Sequence, residues 1–335
     1  MKLFRILDPF TLTLVSVVLL ASFFPARGAF VPFVEGLTTA AIALLFFMHG
    51  AKLSREAIIA GGSHWRLHLW VICSTFVLFP ILGVLFARWA PIDVDPAIYS
   101  GFLYLCILPA TVQSAIAFTS MAGGNVAAAV CSASASSLLG IFVSPVLVGL
   151  LMHLHGAEAS LEQVGKIMLQ LLLPFVLGHL SRPWIGNWVA RNKKWIGKTD
   201  QASILLVVYS AFSEAVVNGI WHKVGAGSLL FIVVVSCILL AIVIAINVFV
   251  ARRFGFNKAD EITIVFCGSK KSLANGIPMA NILFPTSMIG MMVLPLMIFH
   301  QIQLMVCAVL ARRYKRQTEA LQAEARDAES REAKA

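Results

Sequence analysis

A chain of 335 residues that is 59% hydrophobic and 13% charged carries about half the charge of an ordinary soluble domain. That excludes a water-soluble globule and points to a protein that crosses the bilayer several times. A net charge of +10 would suit a nucleic-acid partner, but the basic residues fall in short loops between apolar runs, so they set membrane orientation and no nucleic acid is implied.

In chain order, Met1-Lys-Leu-Phe-Arg5 and the apolar run after it have the outline of a signal peptide. Pro25-Ala-Arg27 is a poor cleavage site and further spans follow, so the segment reads as an uncleaved first helix. Apolar windows long enough to cross a hydrocarbon core of about 30 Å recur at 9–25, 34–51, 68–88, 98–121, 126–152, 165–181, 202–220, 228–250, 260–283 and 288–311. From Arg312 onward the chain turns polar and is expected to form a frayed cytoplasmic helix without a core of its own. The six cysteines all lie in apolar windows with no metal-ligand spacing, and read as small core residues.

Lysine and arginine placement orients these windows. With the N-terminus inside, the cytoplasmic stretches hold Lys2 and Arg5, then Lys52, Arg55 and Arg66, then Arg182, Arg191, Lys193, Lys194 and Lys198. Arg252, Arg253, Lys258 and the basic tail follow, whereas the outer side holds Arg27, Arg88, Lys166 and Lys223 beside the acidic Asp93, Asp95, Glu158 and Glu162. This bias predicts an even number of spans with both ends in the cytoplasm. Ten spans divide near Gly156 into two sets of five, and an odd number per half makes the halves enter the membrane from opposite sides. The expected organisation is a first repeat over 1–155, a second over 156–314 and a polar tail over 315–335.

Two windows are interrupted at matching places. The fourth reads Leu108-Pro-Ala-Thr-Val-Gln-Ser114 at its break, with a Thr111/Gln113/Ser114 cluster. The ninth reads Phe266-Cys-Gly-Ser-Lys-Lys-Ser-Leu-Ala-Asn-Gly-Ile-Pro278, with two adjacent lysines inside a span. Each charged residue at a helix centre costs about 2.5–3.5 kcal/mol even on the lenient insertion scale. Gly268, Gly276 and Pro278 break a helix, and Ser269, Ser272 and Asn275 offer hydrogen bonds to freed backbone. Polar breaks in corresponding helices point to a transport site near the midplane. There, either Lys270 stays charged as a built-in cation donating to unwound carbonyls, or it exchanges a proton and couples transport. Helical geometry turns Lys271 about 100° away, so it need not share that role. The competing reading makes both lysines structural counterions or has them snorkel from a shallower depth. Glu214 is the clearest acidic group inside a span, either a charge partner or proton site or a solvated group near the outer interface. Ser132, Ser134, Ser136 and Ser137 are either ligands or small packing residues. His49, His179 and His300 read as packing histidines.

The fourth window running into Gly124-Asn125, followed by Cys131-Ser-Ala-Ser-Ala-Ser-Ser137 and Ser144-Pro145, resembles the bile acid:sodium symporter family. The lysine-bearing run resembles its subgroup of sodium–bile acid symporter-like membrane proteins, and the resemblance extends over residues 1 to about 316. It implies an all-α protein of ten helices in inverted five-helix repeats. The fourth and ninth helices are broken and cross inside a six-helix core, which faces a four-helix panel. With the polar breaks already described, the resemblance points to a substrate/ion site drawn from Thr111, Gln113, Ser114, Asn125, Ser132, Ser269, Lys270, Lys271, Ser272 and Asn275. Members that use sodium hold it with a Glu and a Gln on the ninth helix, at positions that fall here on Phe266 and Lys270. Ala129 and Ala133 stand where hydroxyls are expected. A site that lost its carboxylate and gained an ammonium repels the ion, so sodium coupling is doubtful.

The expected function is therefore secondary transport of an organic or amphipathic anion across the lipid bilayer, with sodium or a proton as the possible coupling ion. A membrane regulator or sensor that kept the fold without coupled transport is the alternative. Gly197-Lys-Thr199 imitates the end of a phosphate loop, but Asn192 holds its first glycine position and no strand precedes it. No nucleophile–base constellation or metal cluster is spelled out, which argues against an enzyme and against a metal or other cofactor.

Overall fold

The computed structural model describes residues 9–52, 64–88, 95–152, 161–217, 219 and 224–332. Lys2, Arg5, Arg55, Asp93, Glu158, Lys223 and Lys334, which enter the orientation argument, lie outside them. The described residues are all-helical. The helices are α1 (Pro9–Phe23), α2 (Phe30–Lys52), α3 (Trp65–Cys73), α4 (Phe79–Arg88), α5 (Pro96–Ile107), α6 (Gln113–Met121) and α7 (Val126–Leu151). They continue with α8 (Leu161–Arg191), α9 (Lys193–Val217), α10 (Ala226–Arg253), α11 (Lys258–Gly268), α12 (Leu273–Leu283) and α13 (Thr286–Glu332). A π-helical turn, Ser74–Leu78, joins α3 to α4 in one rod.

Each apolar window falls on helix, the fourth and ninth on pairs of short helices: α5 with α6, and α11 with α12. Among the described residues, six stretches are long and apolar enough to cross a membrane by length and composition, including Trp65–Phe86, Ala226–Arg253 and Thr286–Glu319. Helix is the expected answer in lipid, because each backbone polar group must be satisfied within the segment. Apolar side chains still point outward: Leu19, Leu230, Phe249 and Val309 are all exposed, as a lipid-facing surface requires.

Packing sorts the helices. α2 lies along α8, and α1 along α9. Gly50 and Gly178 permit the first contact, since a Cβ on either would strike the backbone carbonyl of Phe175 or Phe47 on the facing helix. The broken helices pack with α7, α10 and α13, and α12 packs on α9 as well. A continuous apolar core runs from Ile98 and Phe102 through Val207 and Phe212 to Met292 and Phe299.

Three expectations need correction. The basic stretch around Arg182–Lys198 is helical, with α8 and α9 meeting at Asn192, and its tryptophans Trp184, Trp188 and Trp195 face outward. The segment after Arg312 continues α13 to Glu332 and is docked at its start: Tyr314 is buried and Thr318 donates to the carbonyl of Ala122. Of the cysteines, Cys106, Cys131, Cys267 and Cys307 are buried, but Cys237 is exposed on the outward face of α10.

Candidate functional site

The first break begins where α5 ends. Pro109 restricts the residue before it, and Leu108 is extended at φ −73°, ψ 155°. The carbonyls and N–H groups freed there find partners. Ser144 Oγ donates to Ile107 O at 2.8 Å, and Ala110 N–H donates to Ser136 Oγ at 3.0 Å. Gly140 lets α7 approach this turn: a Cβ there would lie 2.6 Å from the Pro109 ring.

The second break spans 269–272, between α11 and α12. Ser74 Oγ donates to Gly268 O at 2.8 Å and so closes the end of α11. Ser272 caps α12, its Oγ accepting from Asn275 N–H at 3.1 Å. Gln303 of α13 clamps the peptide between them from both sides: its Oε1 accepts from Lys271 N–H and its Nε2 donates to Lys271 O, each at 2.9 Å. His300 joins Gln303 at 2.8 Å. Asn247 of α10 donates to Ser269 Oγ at 2.9 Å and accepts from Trp70 at 2.8 Å. The two breaks also bond directly, Ser272 N–H donating to Pro109 O at 2.9 Å.

Both lysines are wholly buried, which removes the snorkelling reading. Lys271 Nζ donates to the carbonyls of Thr75, Cys106 and Leu108 at 2.8, 2.8 and 2.7 Å, with the Phe79 ring centroid 4.2 Å away. Lys270 Nζ has one long contact, to Ser114 Oγ at 3.4 Å, and lies 4.0 Å from the Phe118 ring centroid and 5.6 Å from that of Phe266. Ser114 continues to Thr111 at 3.2 Å. The two side chains part because 269–272 is not helical, rather than because of a helical 100° step. The C-terminus of α5 turns its negative end toward the Lys271 ammonium, through the carbonyls of Cys106 and Leu108.

The expected residues divide accordingly. Thr111, Ser114, Ser269, Lys270, Lys271 and Ser272 come together at the breaks, and Asn275 Nδ2 reaches Ser137 Oγ of α7 at 3.0 Å. Asn125 lies elsewhere. It caps α7 and donates to Asp260 at 2.9 Å, at the far end of α11 and about 12 Å from Gly268 at 1.5 Å rise per residue. Ser132 contacts His68 at 2.7 Å, and Gln113 is exposed at the start of α6. Glu214 is half-buried on α9, close enough to Glu35 to act on it, and ion-pairs with neither lysine among the described residues. Glu261 anchors a second polar cluster, taking Lys258 at 2.8 Å, Arg252 at 3.1 Å and the Tyr314 hydroxyl at 3.0 Å.

Gln303, Asn247, Ser74 and Tyr104, whose hydroxyl donates to Gly276 O at 2.6 Å, were not foreseen. The signal was present for two of them: Gln303 and Asn247 are amide side chains inside otherwise apolar helices, where polar residues mark function or obligatory hydrogen bonds.

A model of the SBF-like CPA transporter family matches residues 8–316. The chain belongs to that family. As a member of the SBF-like CPA transporter family it is 89% identical to "Putative symporter YfeH" of Escherichia coli K12 over 324 residues, which is 97% of this chain and 98% of that one. It is 58% identical over 325 residues to the uncharacterized protein PA2026 of Pseudomonas aeruginosa, again 97% and 98% of the two chains. A more distant relative is sodium/bile acid cotransporter 7 of the rat, 29% identical over 273 residues, 81% of this chain and 80% of that one. Family and relatives make this SBF-like protein a multi-pass membrane transporter of a small molecule, and the Escherichia coli and rat relatives are named as a symporter and a cotransporter, not as enzymes.

Proposed function

We propose that the chain carries an organic or amphipathic anion across the inner membrane by alternating access, without sodium coupling. The observation that carries this reading is the direct bond between the two breaks, Ser272 N–H to Pro109 O, with wholly buried ammonium groups beside it. Non-helical backbone at membrane depth is tolerated where protein buries it or where it lines a pathway, and paired broken helices frame transport sites. In this reading the ten spans form inverted repeats over 1–155 and 156–314, both termini are cytoplasmic, and α1, α2, α8 and α9 form the panel. The packing of α2 along α8 and of α1 along α9 supports it.

Charge decides the substrate class. Lys271 commits its three protons to carbonyls, whereas Lys270 has one long hydroxyl contact and two ring faces. No carboxylate joins either lysine in an ion pair among the described residues, so the crossing carries net positive charge and attracts an anion. The rat relative's name includes sodium. Here Phe266 and Lys270 stand at the breaks, and a sodium ion placed there meets a like charge without a counterion. Lys270 then either remains a fixed cation or exchanges a proton, and both outcomes are sodium-independent.

Uptake into reconstituted vesicles tests this. Anion flux should persist when choline replaces sodium, and Lys270→Gln should abolish it. Flux that requires a sodium gradient, or a sodium-specific rise in the wild-type Tm that potassium does not produce, overturns the reading. Ligand-induced stabilisation with no flux for any anion would favour a sensor that kept the fold.

A further inference from the structure

We propose that Lys271 is the tethered occupant of a monovalent-cation site built from backbone carbonyls, so that the chain supplies its own cation where the π-turn meets the first break. The inference is independent of the substrate and of transport itself.

The first ground is stoichiometry. An ammonium has three N–H donors and no acceptor. Here three carbonyl oxygens lie 2.7–2.8 Å from Nζ, in the charge-assisted range, and the Phe79 ring closes another side at 4.2 Å. The site has no carboxylate. This is how a cation is coordinated by neutral dipoles, rather than how a salt bridge is made.

The second ground is that each carbonyl is freed by a separate feature of the sequence. Within the π-turn, Phe79 N–H donates to Ser74 O, so Thr75 O loses its usual α-helical donor. The next residue, Pro80, has no N–H with which to replace it. Cys106 O would accept from Ala110 N–H in a continued helix, but that group donates to Ser136. Leu108 O is freed by Pro109, which ends α5. Two separate backbone interruptions, the π-turn and the first break, converge on one point, and a bare gap there would strand three buried acceptors. Filling it with a covalently held ammonium removes the need for an ion from solution.

Ammonium and potassium are close in size and sodium is smaller, so the carbonyl cage discriminates once the lysine is removed. The test is Tm of the purified full-length Lys271→Ala variant in chloride salts of ammonium, methylammonium, potassium, sodium and choline. The variant should melt well below wild type, and ammonium or potassium should raise its Tm saturably while choline does not. The wild type should show no such preference. Lys271→Met, whose chain occupies the space without charge, should be destabilised and not rescued. Equal response of Lys271→Ala to all cations overturns the proposal, as does a Lys271→Met variant as stable as wild type. Should Lys271→Ala fail to fold in every salt, ¹⁵N-lysine spectra of the wild type decide. A slowly exchanging side-chain ammonium signal that persists in Lys270→Gln is expected, and its absence overturns the assignment.

Discussion

The two breaks occupy corresponding places in the chain yet do opposite chemistry. The first, 108–112, carries no charge and, with the last turn of α5 before it, offers oxygens: Cys106, Leu108 and Pro109 all accept from the second. The second, 269–272, offers donors: two ammonium groups and the Ser272 N–H. One half of the chain supplies the negative ends of dipoles and the other supplies fixed positive charge. A crossing that elsewhere would need a dissolved cation to reconcile two sets of carbonyls can thus be closed from within. The same contrast recurs between neighbours on one strand of backbone. Lys271 is saturated and Lys270 is not, so holding the breaks together falls to one residue and the uncommitted charge to the other.

That division ranks the variants. Lys271→Met should give the greatest loss, because it strands three buried carbonyls at about 1–3 kcal/mol for each unsatisfied group; thermal melting in detergent measures it. Gln303→Leu removes both partners of the Lys271 peptide and should cost roughly 2 kcal/mol or more on the same scale, with flux reduced in proportion to folded protein. Ser136→Ala strands a single N–H, that of Ala110, and should cost about 1–2 kcal/mol. Lys270→Gln should change stability least, by about 1 kcal/mol, since it forfeits a long hydroxyl contact and two ring contacts. It should nevertheless eliminate anion flux. A Lys270→Gln variant that melts like Lys271→Met would erase the contrast between the two lysines.

The all-helical plan, the two interruptions and the buried lysines were legible in the sequence, because apolar length, proline and intramembrane charge are side-chain properties. The assignment of lysines was not. The sequence reading gave unwound carbonyls to Lys270, and the structure gives them to Lys271. The partners are main-chain groups of Thr75, Cys106 and Leu108, which leave no mark in residue identity. The departure of 269–272 from helical geometry also invalidates the 100° step used to separate the two. Asn125 illustrates the opposite failure. The family resemblance suggested it for the site, but its side chain is used in capping α7 and bonding Asp260. Gln303 and Asn247 were readable as lone amides in apolar helices.

The π-turn at Ser74–Leu78 amounts to one residue in excess of a regular helix. With 3.6 residues per turn, that surplus residue rotates everything beyond it by about 100° relative to everything before it. Trp70 and Ser74 reach Asn247 and Gly268, and after the phase shift Phe79 faces Lys271 while Gly83 meets Cys106. Deleting a single codon within this turn would remove almost no mass and leave a more regular helix. It would also turn the second half of the rod to present the wrong face, so the irregularity acts as a phase setting between two sets of contacts on one span.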